Sequence, residues 1–447
     1  RILMPSDYGI IAIINVFITI ADVLLTSGLN TALIQKQDVD ELDFSTIFYC
    51  NFILGMGLYA ILFVAAPFLA TAYKMPLLKQ AIRVFAIRLP ISSFQSIQTA
   101  YISRKMDFKR FFFSTIIGTL VSAVVGIVMA LKGAGVWALI AQYLTNTIID
   151  TLFLAVTVRW HPRLMFSWKA AKPMIRYGGK VMMTDLLGTV CNNLGDFIIG
   201  AKYTSADLAY YTKGKQLPTL IKSNIYTSLI SVLFPGMSKI NDEGEKVKAL
   251  SRKSIRVLTY IIYPLMTGLL VVAEPLTIFL YTEKWIAMVP FVWVVCIEAI
   301  FSVPGTITLQ SVKAMGYSDK MLKAEIFKKP ILILSIIIAM QYGVMAIALT
   351  LPLNTLLEFV INGVMAHKTV DYSIREQLWD CLPATIMSVL MGAGVLLVAH
   401  LPLGLGTIAL LFVEILVGIV IYVLLSVITR NEEFMALASM AKQYLKR

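Results

Sequence analysis

The chain has 447 residues, 58% of them hydrophobic and 15% charged, and its mean hydropathy is +0.79. This balance excludes an ordinary soluble domain and predicts an all-α polytopic membrane protein. The formal net charge of +13 does not indicate nucleic-acid binding, because no RNA-binding motif or aromatic platform accompanies it.

Membrane spans are predicted where about 20 mainly apolar residues follow one another, the length that a helix needs to cross the hydrocarbon core. They lie near residues 8–28, 44–71, 80–102, 109–131, 134–158, 176–201, 208–236, 254–281, 288–314, 321–342, 343–366, 378–400 and 404–429. The connections are short, so we expect no folded domain outside the membrane.

Lysine and arginine concentrate in alternate connections. Most of the 39 basic residues fall in stretches 29–43, 103–110, 159–180, 237–256, 313–329, 367–377 and 430–447. By the positive-inside rule these stretches are cytoplasmic, and so is the C-terminal tail. The basic excess therefore reflects membrane topology.

The chain contains an internal sequence repeat. The segment ALIAQYLTNTIID at 138–150 returns as AIALTLPLNTLLE at 346–358. Three single positions return in the same order, namely Asp7 as Asp207, Pro67 as Pro275 and Asp107 as Asp319. Because corresponding motifs lie on the same side of the membrane, the repeats are parallel and related by an axis along the membrane normal, an arrangement typical of secondary transporters.

The repeat predicts a division into lobes. We expect an N-lobe at 1–158, a cytoplasmic linker at 159–175, a C-lobe at 176–366, and a C-terminal helix pair with its tail at 367–447. The second copy has a span before its TSADLAY motif, whereas nothing precedes MPSDYGI in the first. We therefore expect that a first helix is missing from this chain and that two six-helix lobes are complete only with it.

No pattern of reactive residues predicts an enzyme or a metal site. The cysteines lie in predicted spans without ligand spacing and the histidines are isolated near span ends. We expect no disulfide, no metal and no cofactor.

Five basic residues remain inside predicted spans after the connections are counted: Arg83, Arg88, Lys213, Lys215 and Lys222. A charge at the bilayer centre costs at least about 2.5 kcal/mol and usually faces a bundle interior or a wet cavity. Arg83 and Lys213 lie near span ends, where their side chains can alternatively reach the interface.

Polar residues surround these charges at the spacing i, i+4, i+7, i+11, which keeps them on one helix face. The stripes are Asn15, Thr19, Asp22 and Thr26; Arg88, Ser92, Gln95 and Thr99; Asp185, Thr189, Asn192 and Asp196; Lys215, Thr219, Lys222 and Tyr226; and Glu298, Ser302, Thr306, Gln310 and Lys313. We interpret them as the lining of a water-filled central cavity; the alternative is that the uncharged members make hydrogen bonds between helices.

The chain resembles a known family over nearly its whole length. The resemblance rests on RILMPSDYGIIAIINVF, GLNTALIQ, AAPFLATAYKMP, GAGVWALIAQY, DFIIGAKYTSADLAYYTKGKQLP and VLFPGMSKI, in this order. These motifs are similar to those of the Wzx-type oligosaccharide flippases, a polysaccharide transporter branch of the superfamily that includes the MATE drug exporters. Within that branch they look most like the colanic-acid and lipopolysaccharide exporters.

The resemblance implies a non-enzymatic transporter in the bacterial inner membrane. It would flip an undecaprenyl-pyrophosphate-linked oligosaccharide by alternating access for exopolysaccharide or lipopolysaccharide synthesis. Its partners would be that lipid-linked substrate, membrane lipids, and polysaccharide polymerase and chain-length machinery; no nucleic acid is implied.

Roles for the embedded residues follow from this reading. Arg88, Lys215 and Lys222, with Arg83 and Lys213, would hold the diphosphate or acidic sugars, and Gln95, Thr99, Asn192 and Asn193 would serve sugar hydroxyls. Coupling to H⁺ or Na⁺ would need an acidic residue. The candidates are Asp22, Asp185, Asp196 and Glu298, each of which could instead neutralise a nearby cation.

Two alternatives remain. A MATE-like exporter of cationic drugs would share the fold, but the surplus of embedded basic residues argues against it. A non-transporting scaffold for glycan-assembly enzymes would tolerate changes at the embedded cations.

Overall fold

The computed structural model describes residues 2–36, 38–105, 107–158, 160–240, 243–402, 406–436 and 439. Arg1 and most of the basic tail, which entered the topology prediction, lie outside these ranges. Within them the regular structure is helical, and ten helical segments are long and apolar enough to cross a membrane. This confirms an all-α polytopic membrane fold. The predicted spans 80–102, 176–201 and 321–342 are not among the ten.

Contacts between Cα atoms divide the chain into two compact units, residues 1–209 and residues 210–447. The helices of the first unit are α1 (Pro5–Thr26), α2 (Gly28–Gln35), α3 (Glu41–Ala72), α4 (Pro76–Phe85), α5 (Arg88–Lys105), α6 (Phe108–Leu131), α7 (Val136–Thr157) and α8 (Trp168–Lys202). Helix α9 (Ser205–Ser238) begins in the first unit and continues in the second.

The second unit continues with α10 (Gly244–Val271), α11 (Ala273–Tyr281), a 3₁₀ turn (Glu283–Met288), α12 (Val289–Ala314), α13 (Ser318–Ala339), α14 (Val344–Val370), α15 (Ile374–Ala399) and α16 (Thr407–Ile428). The division falls within α9 because α8 packs against α1, α2 and α3. The lobe boundary drawn from the sequence repeat at 159–175 is a different division and stays a prediction.

Equivalent residues of the repeat begin equivalent helices. At α1, Asp7 Oδ2 accepts a hydrogen bond from the Met4 backbone N–H at 3.1 Å. At α9, Asp207 Oδ2 accepts from the Thr204 N–H at 3.1 Å. A carboxylate in the first turn satisfies a donor that has no partner within the helix and faces the positive end of the helix dipole. The repeated aspartate is thus a helix-start signal in both copies.

Two of the predicted spans each contain a junction between two helices. Span 80–102 consists of α4 and α5, and span 254–281 contains the junction of α10 and α11. Pro90 lies in the first turn of α5 and Pro275 in the first turn of α11. In a first turn the missing N–H of proline costs no hydrogen bond within the helix, so both prolines suit a helix start.

The predicted linker 159–175 packs against the rest of the first unit in its described part, residues 160–175. Trp160 packs on Phe44 of α3 with ring centroids 5.6 Å apart. The Arg163 N–H donates to Ser45 Oγ at 3.2 Å, so this segment is fixed to the start of α3. Helix α8 already begins at Trp168, before the predicted span at 176.

Helix α15 is held against α10 through one buried carboxylate. Asp380 on α15 is 1% exposed and accepts hydrogen bonds from Arg252 Nε at 2.8 Å and Arg256 Nε at 2.9 Å. The Tyr372 hydroxyl donates at 2.8 Å to Oδ2, the oxygen that also accepts from Arg252 Nε. Charge-assisted hydrogen bonds of this kind are stronger than neutral ones, so the cluster fixes α15 against α10.

Helices α2 and α8 cross where neither has a side chain. A Cβ placed on Gly178 would lie 2.6 Å from the Gly28 carbonyl oxygen, and a Cβ on Gly28 would lie 2.6 Å from the Gly178 oxygen. Small residues at a helix crossing allow backbones to approach this closely. The neighbouring Gly179 faces open space.

We therefore expect Gly178→Val to force α2 and α8 apart and to destabilise the first unit by about 1–3 kcal/mol through overpacking. The matched control is Gly179→Val, which makes the same change one residue along α8 where a Cβ meets nothing within 4 Å. The melting temperature of each purified variant in detergent measures the effect. Equal melting temperatures for the two variants would contradict the close crossing.

Candidate functional site

The first unit contains an ion pair inside its predicted spans. Arg88 Nη2, at the start of α5, lies 3.2 Å from Asp22 Oδ2 on α1. The two side chains are 21% and 29% exposed, respectively. The buried Arg88 Nε has no hydrogen-bond partner among the described residues. The guanidinium is therefore held by one oxygen of one carboxylate and keeps a donor for another acceptor.

A buried polar network on the same helix as Arg88 holds α2 and α3 against α5. Asn30 Nδ2 donates to Ser96 Oγ at 2.5 Å, and Asn51 Nδ2 donates to Asn30 Oδ1 at 3.3 Å. Asn30, Ser96 and Asn51 are all buried. Hydrogen bonds between helices of this kind fix which faces meet inside a membrane.

The second unit contains a similar pair. Lys222 Nζ on α9 forms an ion pair with Glu298 Oε2 on α12, and the two side chains are 17% and 13% exposed. The other oxygen, Oε1, accepts a hydrogen bond from Thr355 on α14 at 3.1 Å. One turn further along both helices, the Tyr226 hydroxyl and Ser302 Oγ are 2.7 Å apart.

Helices α9 and α12 meet at three levels with nearly the same sequence offset. Lys222 and Tyr226 each meet a residue 76 positions further along the chain. Two turns before Lys222, Gly214 lies against Phe291, 77 positions further along, and a Cβ there would be 2.6 Å from the Phe291 Cβ. Because the offset changes so little over about three turns, the two helices run in the same direction.

The two ion pairs occupy equivalent places in the repeat, but the acid and the base stand on opposite helices in the two copies. Asp207 is the counterpart of Asp7, and the same offset takes Asp22 to Lys222. Arg88 on the third predicted span corresponds to the region of Glu298 on the ninth. The acid lies on the first helix of the pair in one copy and the base lies there in the other.

The other predicted cations are each held by a neighbour. Lys215 Nζ lies 4.0 Å from the centroid of the Tyr211 ring. Lys213 donates to Gln216 Oε1 at 2.9 Å. Arg83 lies over the Phe63 ring at 4.1 Å. The assignment of these three residues to a substrate site stays a prediction.

Two of the residues predicted to bind sugar hydroxyls make hydrogen bonds to the backbone of their own helix. Thr99 Oγ1 donates to the Gln95 carbonyl at 2.9 Å, and Asn193 Nδ2 donates to the Thr189 carbonyl at 2.8 Å. Backbone bonds of this kind are common within helices and do not indicate a ligand. Asp185 and Asn192 on α8 are exposed, and Asp196 is half-buried. Their roles with sugars and ions stay predictions.

One contact of the second pair was not predicted. Thr355 completes the environment of Glu298, yet an isolated threonine in an apolar span carries no distinctive sequence signal. Its position within NTLLE, part of the repeated segment, is the feature that could have pointed to it. Asp22 and Glu298, predicted either as coupling residues or as neutralising partners, do lie against cations.

In both pairs the cation can exchange its carboxylate partner for another anion. A half-buried ammonium or guanidinium with one carboxylate partner can transfer its hydrogen bonds to a phosphate oxygen, which makes a bond of the same charge-assisted type. The displaced carboxylate then needs a proton or a metal cation to avoid an unpaired charge.

Several known proteins are similar to this chain. The chain is 24% identical over 375 residues to the lipopolysaccharide biosynthesis protein WzxC of Escherichia coli, covering 82% of this chain and 74% of that protein. It is 22% identical to the succinoglycan biosynthesis transport protein ExoT of Rhizobium meliloti, covering 71% and 64%. The teichuronic acid biosynthesis protein TuaB of Bacillus subtilis is 25% identical, with 63% and 59% covered. The alignments thus span less than two thirds of the last two relatives.

Solved structures share the fold. The lipid II flippase MurJ in an inward closed conformation matches 96% of this chain and 94% of its own, with a TM-score of 0.76 at 15% identity. An inward-facing multidrug resistance MATE family transporter matches 82% of this chain and 91% of its own, with a TM-score of 0.66 at 14% identity. The family model described as polysaccharide biosynthesis protein matches residues 1–290, so the chain belongs to that family.

Proposed function

We propose that this protein flips a lipid-linked oligosaccharide across the bacterial inner membrane, and that Lys222 binds the diphosphate of the substrate. The observation that carries the proposal is the half-buried Lys222–Glu298 pair, supported by Thr355, within helices apolar enough to span a membrane. The carrier would be undecaprenyl pyrophosphate, and the product would serve exopolysaccharide or lipopolysaccharide synthesis.

Family membership supports a role in polysaccharide biosynthesis. The relatives ExoT and MurJ are named as a transport protein and a flippase, which supports a transporter rather than an enzyme. A diphosphate and sugar head cannot enter hydrocarbon without replacement of its hydration, and fixed cations supply part of that replacement.

The proposed step at Lys222 is an exchange of partners. A phosphate oxygen takes the Lys222 ammonium from Glu298, while Thr355 continues to donate to Glu298 Oε1. The freed carboxylate then binds H⁺ or Na⁺, so that substrate binding and ion binding are linked at one residue. Release of the substrate restores the ion pair and expels the ion.

Arg88 supplies a second site of the same kind in the first unit. Its guanidinium is planar and presents several donors, of which Nε is unpartnered in the described structure. A phosphate or a sugar carboxylate can engage two such donors together, which a lysine cannot do. Asp22 would take the role there that Glu298 has at Lys222.

We infer transport by alternating access towards the outer leaflet from the family resemblance, and a cytoplasmic C-terminus from the distribution of lysine and arginine. Contacts with polysaccharide polymerase or chain-length proteins belong to the same proposal. These two ion pairs do not favour export of cationic drugs through the same site, because Asp22 and Glu298 each already have a cationic partner.

Lys222→Ala should reduce polysaccharide export at least about tenfold, because one charge-assisted contact to the diphosphate is lost. Lys222→Arg should retain more activity than Lys222→Gln. Surface polysaccharide per cell measures export, and a membrane immunoblot measures the amount of protein. The control is Lys246→Ala on the exposed start of α10, where the lysine pairs with Glu243. Normal export by Lys222→Ala would contradict the assignment of Lys222 to diphosphate binding.

Glu298→Gln should separate binding from transport. It removes the competitor for Lys222 while Thr355 can still donate to the amide oxygen. We expect the binding of a lipid-linked oligosaccharide to tighten several-fold and flipping in proteoliposomes to become insensitive to an imposed ion gradient. Unchanged gradient dependence would show that coupling does not use Glu298.

The first pair can be tested with a double-mutant cycle. Arg88→Gln leaves Asp22 without its cation, so we expect a loss of about 1–3 kcal/mol in stability. Adding Asp22→Asn should recover much of that stability without recovering flipping, because the substrate contact is still missing. Thermal unfolding in detergent and flipping in proteoliposomes are the two readouts. Recovery of both would assign the pair a purely structural role.

A further inference from the structure

A cavity of about 480 Å³ lies within the second unit, between α10, α15 and α16. Its walls are almost entirely apolar and include Gly268, Met391 and Val395. Ile415 and Ile419 of α16 line it and are themselves exposed on the outer face of that helix. A molecule dissolved in the hydrocarbon can therefore reach the cavity without passing through water.

One carboxyl group is buried in this apolar wall. Glu414 of α16 is 3% exposed, and its Oε2 has no hydrogen-bond partner among the described residues. No lysine or arginine is among the residues that line the cavity. A carboxyl group inside a membrane that lacks a partner is costly and marks a functional site.

Two tyrosines complete the lining. The rings of Tyr260 and Tyr422 are 5.2 Å apart, centroid to centroid. Their hydroxyls are already engaged, Tyr422 with the Tyr260 carbonyl and Tyr260 with Ser426 Oγ, each at 2.8 Å. They therefore offer the cavity ring surface, which attracts cations, and leave Glu414 unsatisfied.

We infer that this cavity binds a lipophilic organic cation, with Glu414 as its counter-ion. A neutral acyl chain would fill the walls but leave the carboxyl unpaired, and an anion would be repelled. A small metal ion would find only one carboxylate where it needs several oxygen ligands. A bulky cation with an apolar body matches the volume, the walls, the tyrosine rings and the charge together.

The side chains of the proposed substrate contacts do not line the cavity. Lys222, Glu298, Asp22 and Arg88 are not among its lining residues, although Ile221, next to Lys222 on α9, is. The inference therefore does not depend on the proposed function, and it holds or fails whether or not the protein flips a glycolipid.

The test is equilibrium binding of radiolabelled tetraphenylphosphonium to the full-length protein in nanodiscs, with empty nanodiscs as background. We expect saturable binding at about one ligand per protein. Glu414→Gln, which keeps shape and removes charge, should weaken it at least about tenfold. The matched control is Glu274→Gln, which neutralises an exposed carboxylate at the start of α11. It should bind as the unchanged protein does.

A second variant tests the cavity itself. A Cβ on Gly268 would meet only the Met391 Cε at 3.8 Å, so Gly268→Leu should fill the space without unfolding the protein and should abolish saturable binding. Neutral tetraphenylmethane should not compete. Absence of saturable binding by the unchanged protein, equal binding by Glu414→Gln, or competition by tetraphenylmethane as effective as by the cation would each overturn the inference.

Discussion

A charge in hydrocarbon has no water to solvate it, and this constraint orders much of the structure. Within the first unit it brings Asp22 of α1 to Arg88 of α5, and within the second it brings Lys222 of α9 to Glu298 of α12. Each pair determines which faces of two distant helices meet. The uncharged contacts follow the same faces, as the Tyr226 and Ser302 side chains do one turn beyond Lys222.

The acid and the base stand in opposite places in the two copies of the repeat. A duplicated helix unit would at first carry the same residue at equivalent positions, yet one copy has Asp22 where the other has Lys222. Each ion pair still combines one acid with one base, so the pair is neutral, which lowers its cost in the membrane. In the proposed function, the cation of each pair changes partners, and the single contact of Arg88 with Asp22 leaves donors for an anion.

The C-terminal helix pair shows how the surroundings of a carboxyl group decide its role. Asp380 receives hydrogen bonds from two arginines and a tyrosine, so nothing remains for a ligand, and its effect is to hold α15 on α10. Glu414 on the neighbouring helix has one oxygen without any partner and faces an apolar cavity. The first group stabilises the fold; the second keeps an unsatisfied oxygen, the feature on which the inferred binding site rests.

Hydropathy and charge are local properties of a segment, so the sequence alone determined the all-helical membrane fold, most of the spans and the embedded charges. It also identified the repeat, whose Asp7 and Asp207 begin equivalent helices. Only the tertiary structure decided the pairing, because Lys222 and Glu298 are 76 residues apart and several acids were equally plausible partners. The same holds for Thr355 and the cavity at Glu414, which exist only where separate helices pack together.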